Sequence, residues 1–276
     1  MEKNRLIKKT ILTLLWLMIA ALATVSATYA WFTFSPVTNV TPMSNTVSEG
    51  EGELLISNTR DGNFSNECNL SLVIDPEFLV PVSTDDLNDF YAQKLQNRKG
   101  ISLLYKEADK IADDNSIHGD LYLKSTNADI YVYLNKEGLD FGNSIQALAS
   151  MRLGLKFTTK EGEHTYIFRL DDMGNTGSAS VRETVNGDNV VVAAIGSDGA
   201  PSYKADPAED LSDYYAEMPA NGADPKPGRK SLCHLDKDEV CKVEFRLYLE
   251  GCDKNCFDDV QKNDLALALS FAGADD

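Results

Sequence analysis

The chain has 276 residues, and its 43 Asp and Glu against 26 Lys and Arg leave a formal net charge of −17. So large an excess of acid repels phosphate backbones, which excludes DNA and RNA binding as a function class. The length is ample for one large core or two smaller ones, so disulfides would supplement a core and not replace it.

In chain order, Lys3, Arg5, Lys8 and Lys9 come first, followed by Thr10 to Phe34, a run without a charged side chain. Such a run can span a bilayer as a helix, with the basic residues on the cytoplasmic side. Ile11 to Leu22 is strongly apolar apart from Thr13, and Ala23 to Ala30 softens into small residues ending in Thr28-Tyr29-Ala30. That pattern fits a signal peptide at residues 1–30, cut after Ala30. The same residues fit a retained membrane anchor, in which Trp31, Phe32 and Phe34 form an aromatic belt at the outer interface. Either way the remainder is expected to be extracellular or on the cell surface. Its expected partners are the export machinery and signal peptidase, with the membrane touched only through residues 10–34 if no cut occurs.

Residues 31–50 read as an extended arm and 51–276 as the folded domain. Pro36 and Pro42 oppose helix in the arm, while Val37, Val40 and Val47 suit an edge strand. Once freed by cleavage, Trp31, Phe32 and Phe34 would be costly to leave in water. The arm is therefore the candidate assembly element, seating in a second copy by β-augmentation and driving self-association into fibres. Folding back onto its own domain is the alternative.

Glu53 to Ser57 is the first firm strand, and Leu70 to Ile74 the second, stopped by Asp75-Pro76. Ser83 to Leu95 predicts a helix. Ser83 and Thr84 can cap it, Asp85 and Asp86 suit its first turn, and Leu87, Phe90, Tyr91 and Leu95 share one face. From Gly100 the period becomes two: Ile101–Tyr105, Gly119–Lys124, Asp129–Leu134, Met151–Phe157, Thr165–Leu170 and Asn189–Ile195. In the Met151 strand, Arg152, Gly154 and Lys156 alternate with apolar residues and predict a face open to water. Residues 205–230, with four prolines among acids and glycines, predict a long mobile loop that Tyr214 and Tyr215 can dock locally. Val240 to Glu250 is a strong alternating strand. Leu265 to Phe271 closes the chain as a strand regular enough to be central. Short strands punctuated by turns predict a mainly β chain, an antiparallel β sandwich with one or two short helices, preceded by the N-terminal hydrophobic helix.

Three places together carry a resemblance. They are Thr28-Tyr29-Ala30-Trp31-Phe32-Thr33 with Gly52 to Ser57; Tyr122 to Ser125, Ile130 to Leu134 and Met151-Arg152-Leu153; and Tyr248 to Cys256 with Leu269 to Ala272. The first resembles exported Gram-positive proteins with a SipW-dependent type of signal, the group that includes TasA-like matrix fibre proteins and camelysin-like surface proteins. The other two are similar to surface proteins of clostridial bacteria with the same kind of leader. This chain departs from the TasA pattern in its longer middle and its cysteines. The resemblance implies a jelly-roll-like sandwich and a surface or matrix role, and transfers no catalytic residue.

The five cysteines are Cys68, Cys233, Cys241, Cys252 and Cys256. In an exported chain disulfides are the default. His234 to Val240 reads as a turn that brings Cys233 to Cys241, and Cys252 with Cys256 can close a second bridge across one helical turn. Zinc on Cys233, His234, Cys241, Cys252 and Cys256 is the alternative, against which stands the lack of a Cys-x-x-Cys knuckle. His118, His164 and His234 show no His-Glu-x-x-His arrangement, and no Gly-x-Ser-x-Gly elbow or phosphate loop is present. The acid-rich turns at Asp171–Asn175 and Asp253–Asp259 lack EF-hand spacing.

No enzyme, catalytic residue, metal or cofactor is therefore expected. The function expected is a cell-surface or extracellular-matrix structural protein. The alternative is a surface binding module, adhesin-like or carbohydrate-binding, with Tyr131, Tyr133 and Tyr248 as exposed sites. A hydrolase lacks any visible ligand or nucleophile set.

Overall fold

The computed structural model describes residues 43–44, 54–69, 73–74, 79–99, 102–111, 115–142, 145–171, 190–219, 224–253, 255–256 and 267–275. The hydrophobic helix expected near 10–34, and the arm residues Trp31, Phe32, Phe34, Val37, Val40 and Val47, lie outside these. The strands are β1 (Met43–Ser44), β2 (Leu54–Ser57), β3 (Glu67–Cys68), β4 (Val73–Ile74), β5 (Val82–Ser83), β6 (Tyr91–Lys99), β7 (Ser102–Lys110), β8 (Ile117–Ser125) and β9 (Ile130–Leu134). After the six-residue helix α1 (Ile145–Ser150) come β10 (Met151–Thr159), β11 (Gly162–Arg169), β12 (Val190–Ile195), β13 (Pro201–Ala205), β14 (Glu209–Asp210), β15 (Cys233–Leu235), β16 (Val240–Leu249) and β17 (Phe271–Ala274). The protein is mainly β, built of several antiparallel sheets with few helices. Among the described residues no helix is long and apolar enough to cross a membrane.

The main sheet has seven strands in the order β14-β11-β10-β16-β8-β2, with β4 pairing the Ile117 end of β8. All its ladders are antiparallel except β11 with β14. A three-stranded sheet, β15-β9-β17, shares a core with it. Strand alternation explains how. Along β10 and β16, Met151, Leu153, Leu155 and Phe157 lie directly opposite Leu249, Leu247, Phe245 and Val243. Ile130, Val132 and Leu134 of β9 join them from the other sheet, with Leu235 and Phe271. Each such side chain contributes about 1.5–3 kcal/mol through burial.

The opposite face of the main sheet, which the Arg152, Gly154, Lys156 alternation predicts to be open to water, is closed at the Arg152 and Gly154 end, while Lys156 is half-buried and Thr158 and Asp120 stay exposed. Val82, Leu87 and Phe90 cover it, packing with Ile167, Ala208 and Tyr248. Arg152 is 1 % exposed and Tyr248 is fully buried.

The helix expected at Ser83–Leu95 is absent. Ser83 ends β5, Tyr91 opens β6, and turns fill the space between. The intended capping residues close those turns instead. Thr84 Oγ1 accepts from the Leu87 N–H at 3.1 Å, and Asp86 Oδ1 accepts from Asn88 and Asp89 at 2.8 and 3.2 Å. Ser, Thr and Asp side chains compete with helix in just this way. Leu87 adopts φ of 62° and seats its methyls over Gly154, where a Cβ would lie 2.6 Å from both. The helical spacing of Leu87, Phe90 and Tyr91 reflects a turn that folds all three inward.

Much of residues 205–230, expected as a mobile loop, is built into the sandwich. Glu209–Asp210 adds a parallel strand to β11, and a 3-10 turn at Leu211–Tyr214 buries Leu211 and Tyr214. The Tyr214 ring meets Phe168 and Tyr166 edge-on, and its hydroxyl donates to Glu209 Oε1 at 3.0 Å. The closing strand also differs from expectation. It starts at Phe271 and lies at the edge of the small sheet, beside β9, while Leu267 and Leu269 ahead of it fill the core.

Because Gly154 is the seat for Leu87, Gly154→Val should destabilise the fold by about 1–3 kcal/mol through overpacking, despite the better strand propensity of Val. Urea unfolding of the variant checks this, and a loss no larger than that of an exposed strand substitution would count against the seat.

Candidate functional site

The described end of the arm is already a strand. Met43 and Ser44 pair antiparallel with Cys68 and Glu67, in the segment that leaves the turn after β2. That turn returns along β2: Ile56 and Ser65 exchange backbone hydrogen bonds at 2.8 and 3.0 Å. The arm thus meets its own domain at β3. Of its candidate assembly residues none is described.

The cysteines separate into different environments, and none of them is joined in a disulfide. Cys233 on β15 and Cys241 on β16 belong to the two sheets that share the main core, and both are buried. Their thiols are in hydrogen-bonding contact, which with burial holds the Cys233 thiol well above its usual pKa. The expected pair is brought together without a bond. The expected Cys252–Cys256 bridge is not brought together in this way. At residues 250–253 and 255–256 the Asp253 N–H donates to the Glu250 carbonyl and the Cys256 N–H to the Asp253 carbonyl. Cys252 packs with Tyr91 and Val192, its sulfur 3.6 Å from Ser83 Oγ, while Cys256 packs against the main core. Burial pushes the Cys68 thiol up to about 11. The zinc alternative fails on the same alternation: Cys233 points into the core, His234 packs outside against a tilted Tyr131 ring, and Cys252 lies in another cluster.

A buried ionic cluster, which the sequence reading missed, locks the C-terminal turn to the main sheet. One Arg152 terminal nitrogen donates to Asp253 Oδ2 at 2.9 Å and to Asp206 Oδ2 at 3.4 Å; the other donates to the Met151 carbonyl at 3.1 Å. The remaining carboxylate oxygens are held by the chain. Asp253 Oδ1 accepts from the Asn255 N–H, Asp206 Oδ1 from Ala208 and Glu250 Oε1 from Cys252, each at 2.9 Å. Arg152 Nε, Glu250 Oε2 and the Tyr248 hydroxyl have no hydrogen-bond partner among the described residues. Burial works against the Arg152 charge, but Asp253, then Asp206 and Glu250, hold the guanidinium more firmly protonated than usual. Burial pushes the Glu250 carboxyl up to about 8, with Arg152 opposing. Removing one partner of such a group leaves an uncompensated buried charge, at about 3–5 kcal/mol. No sequence signal distinguishes Arg152 from a solvent-facing strand residue, since both have the same period.

One group among the described residues has metal-ligating atoms within mutual reach: Asp129, His234 and Asp236, whose donors all lie within 4.8 Å of one another. The sequence offers His234 as a ligand only alongside the cysteines; in the fold it lies with carboxylates instead. Register explains the convergence. His234 lies opposite Tyr131 and Leu235 opposite Ile130, which carries Asp236 towards Asp129 at the end of the ladder. The aromatic residues expected to be exposed divide as well: Tyr133 and Tyr248 are buried, and Tyr131 stays half-buried beside His234. That removes two of the three sites offered for a binding module.

No protein-family model matches the chain, and no curated protein or solved structure does.

The Glu250 shift sets a pH dependence. Folding raises this carboxyl from 4.5 to about 8, so between these values the folded chain keeps a proton that the unfolded chain releases. Its contribution is therefore most favourable below the lower value and is lost as pH rises through the upper one, by on the order of a few kcal/mol. Glu250→Gln keeps the neutral shape without the titration. Its stability relative to the parent should rise across that window in urea unfolding at several pH values; a constant difference would show that Glu250 does not titrate there.

Proposed function

We propose that this chain is an exported cell-surface or extracellular-matrix structural protein that self-associates into fibres through its N-terminal arm. The reading starts from the β1–β3 ladder, in which arm residues Met43 and Ser44 fold back onto their own domain by main-chain pairing, the alternative to exchange. Any segment that docks on its own domain in this way can make the same ladder on a neighbouring copy, which is the basis of strand exchange. The residues ahead of it, from Trp31 to Val40, supply the apolar side chains that fix register in such an exchange. The basic, then apolar, then small-residue leader supports export, and the acidic charge supports a soluble life outside the cell.

Export places the cysteines in an oxidising compartment. There Cys233 and Cys241 close a disulfide that ties the two core sheets together. Each thiol loses a proton, and the electron pair passes by thiol–disulfide exchange to an oxidised partner dithiol or a small disulfide, which is reduced. Closing this short loop contributes about 2–3 kcal/mol.

Two measurements check the reading. Protein starting at Trp31 should form fibres in negative-stain images and sediment as polymer, while protein starting at Gly50 should stay monomeric. Two monomeric samples, or two samples forming the same fibres, would show that the arm is not the assembly element. Non-reducing peptide mapping of natural protein should recover Cys233 joined to Cys241, and free thiols at both positions after oxidation would refute the bridge.

A further inference from the structure

Three acids and a histidine from two different sheets meet at one end of the sandwich. Asp129 precedes β9, His234 lies on β15, and Asp236 follows it; Glu161 sits in the β10–β11 turn of the main sheet. His234 Nδ1 is 3.7 Å from Asp236 Oδ1 and 3.9 Å from Glu161 Oε1. A tetrahedral ion with bonds of about 2.1 Å holds its ligand atoms roughly 3.4 Å apart. The two His234 contacts are within about 0.5 Å of that edge length, and the Asp129, His234 and Asp236 donors all lie within 4.8 Å of one another.

The surroundings orient these groups as an outer layer does around a metal. The Lys237 N–H donates to Asp129 Oδ1 at 2.8 Å, leaving Oδ2 for a ligand. The Lys160 ammonium pairs with Asp236 Oδ2, which leaves Oδ1 turned to His234. Glu239 bridges the two turns, accepting from the Lys160 N–H at 2.7 Å and from the Asp236 N–H at 3.0 Å, so it carries Glu161 alongside the site. Tyr131 fixes the imidazole plane, with ring centroids 4.9 Å apart. Asp129 and Asp236, brought together at the end of an antiparallel ladder, repel each other without a cation between them. Lys160 answers only part of that charge, since Glu161 adds a third carboxylate.

We propose that Asp129, His234 and Asp236 form a binding site for a first-row divalent cation of the Zn2+ class, with Glu161 as a fourth ligand. One imidazole with carboxylates suits such an ion, whereas calcium prefers oxygen donors alone. The bound ion links the small sheet to the β10–β11 turn of the main sheet, on the outer side of the strand whose inner side carries Cys233. Lys160 is its competitor: the ammonium must leave Asp236, or share it, for the ion to bind fully.

The test uses the full chain in mild detergent, stripped with a chelator, kept reduced and titrated with Co2+ as a spectroscopic stand-in for Zn2+. The expected result is saturable binding of one ion, with d–d bands, no thiolate-to-metal charge-transfer band, and displacement by Zn2+. Asp129→Asn and His234→Gln, both at the surface and compatible with folding, should each weaken binding by about tenfold or more. Lys160→Met should strengthen it, an effect that a purely structural salt-bridge network would not produce. A thiolate band, no saturable binding, unchanged affinity in both ligand variants, or weaker binding in Lys160→Met would overturn the proposal.

Discussion

The pairing of β10 with β16 is the constraint on which the structure depends. The two strands run side by side from Met151 opposite Leu249 to Thr158 opposite Lys242, in the middle of the main sheet. One face is a continuous apolar ladder that meets β9 across the core. The other is covered by the turns after β5 and by residues around Ala208. With both faces closed at the Met151 end, a polar residue there has no water to turn to. Arg152 and Glu250 must find partners within the protein or lose their charge. Arg152 finds two carboxylates, and Glu250 holds its proton into the neutral range. The ionic cluster is thus a consequence of burying the second face, and it makes residues 206–208 and 250–255 part of the sheet's architecture.

The same alternation divides the labour of β15. Cys233 and Leu235 point inward, where the thiol meets Cys241, while His234 faces Tyr131 and the acids outside. A single short strand therefore presents a buried thiol beside Cys241 on one side and an imidazole among carboxylates on the other.

The arm reading rests on a different economy. A two-residue ladder between β1 and β3 uses little side-chain area, so its affinity comes from main-chain hydrogen bonds, available equally on the parent domain and on a neighbour. What decides between the two is the effective concentration of the tethered arm against that of other copies.

Period alone determined a good deal of this protein. Val240 to Leu249, Met151 to Thr159 and Ile130 to Leu134 are strands because their apolar residues alternate, and the face that alternation selects is the face in the core. Cys233 and Cys241 were legible as neighbours because a short turn separates them. Period does not say what covers the other face, and there the tertiary structure decided. Arg152 has the spacing of a wet residue and is buried against Asp206 and Asp253, 54 and 101 residues later in the chain. Leu87, Phe90 and Tyr91 have helical spacing, but the seat over Gly154 and the side-chain hydrogen bonds of Thr84 and Asp86 favour turns. His234 gives no local sign of its neighbours, because Asp129 and Glu161 reach it through strand register and a hairpin turn. Local sequence sets which way each side chain points; only the packing of distant segments sets what it meets there.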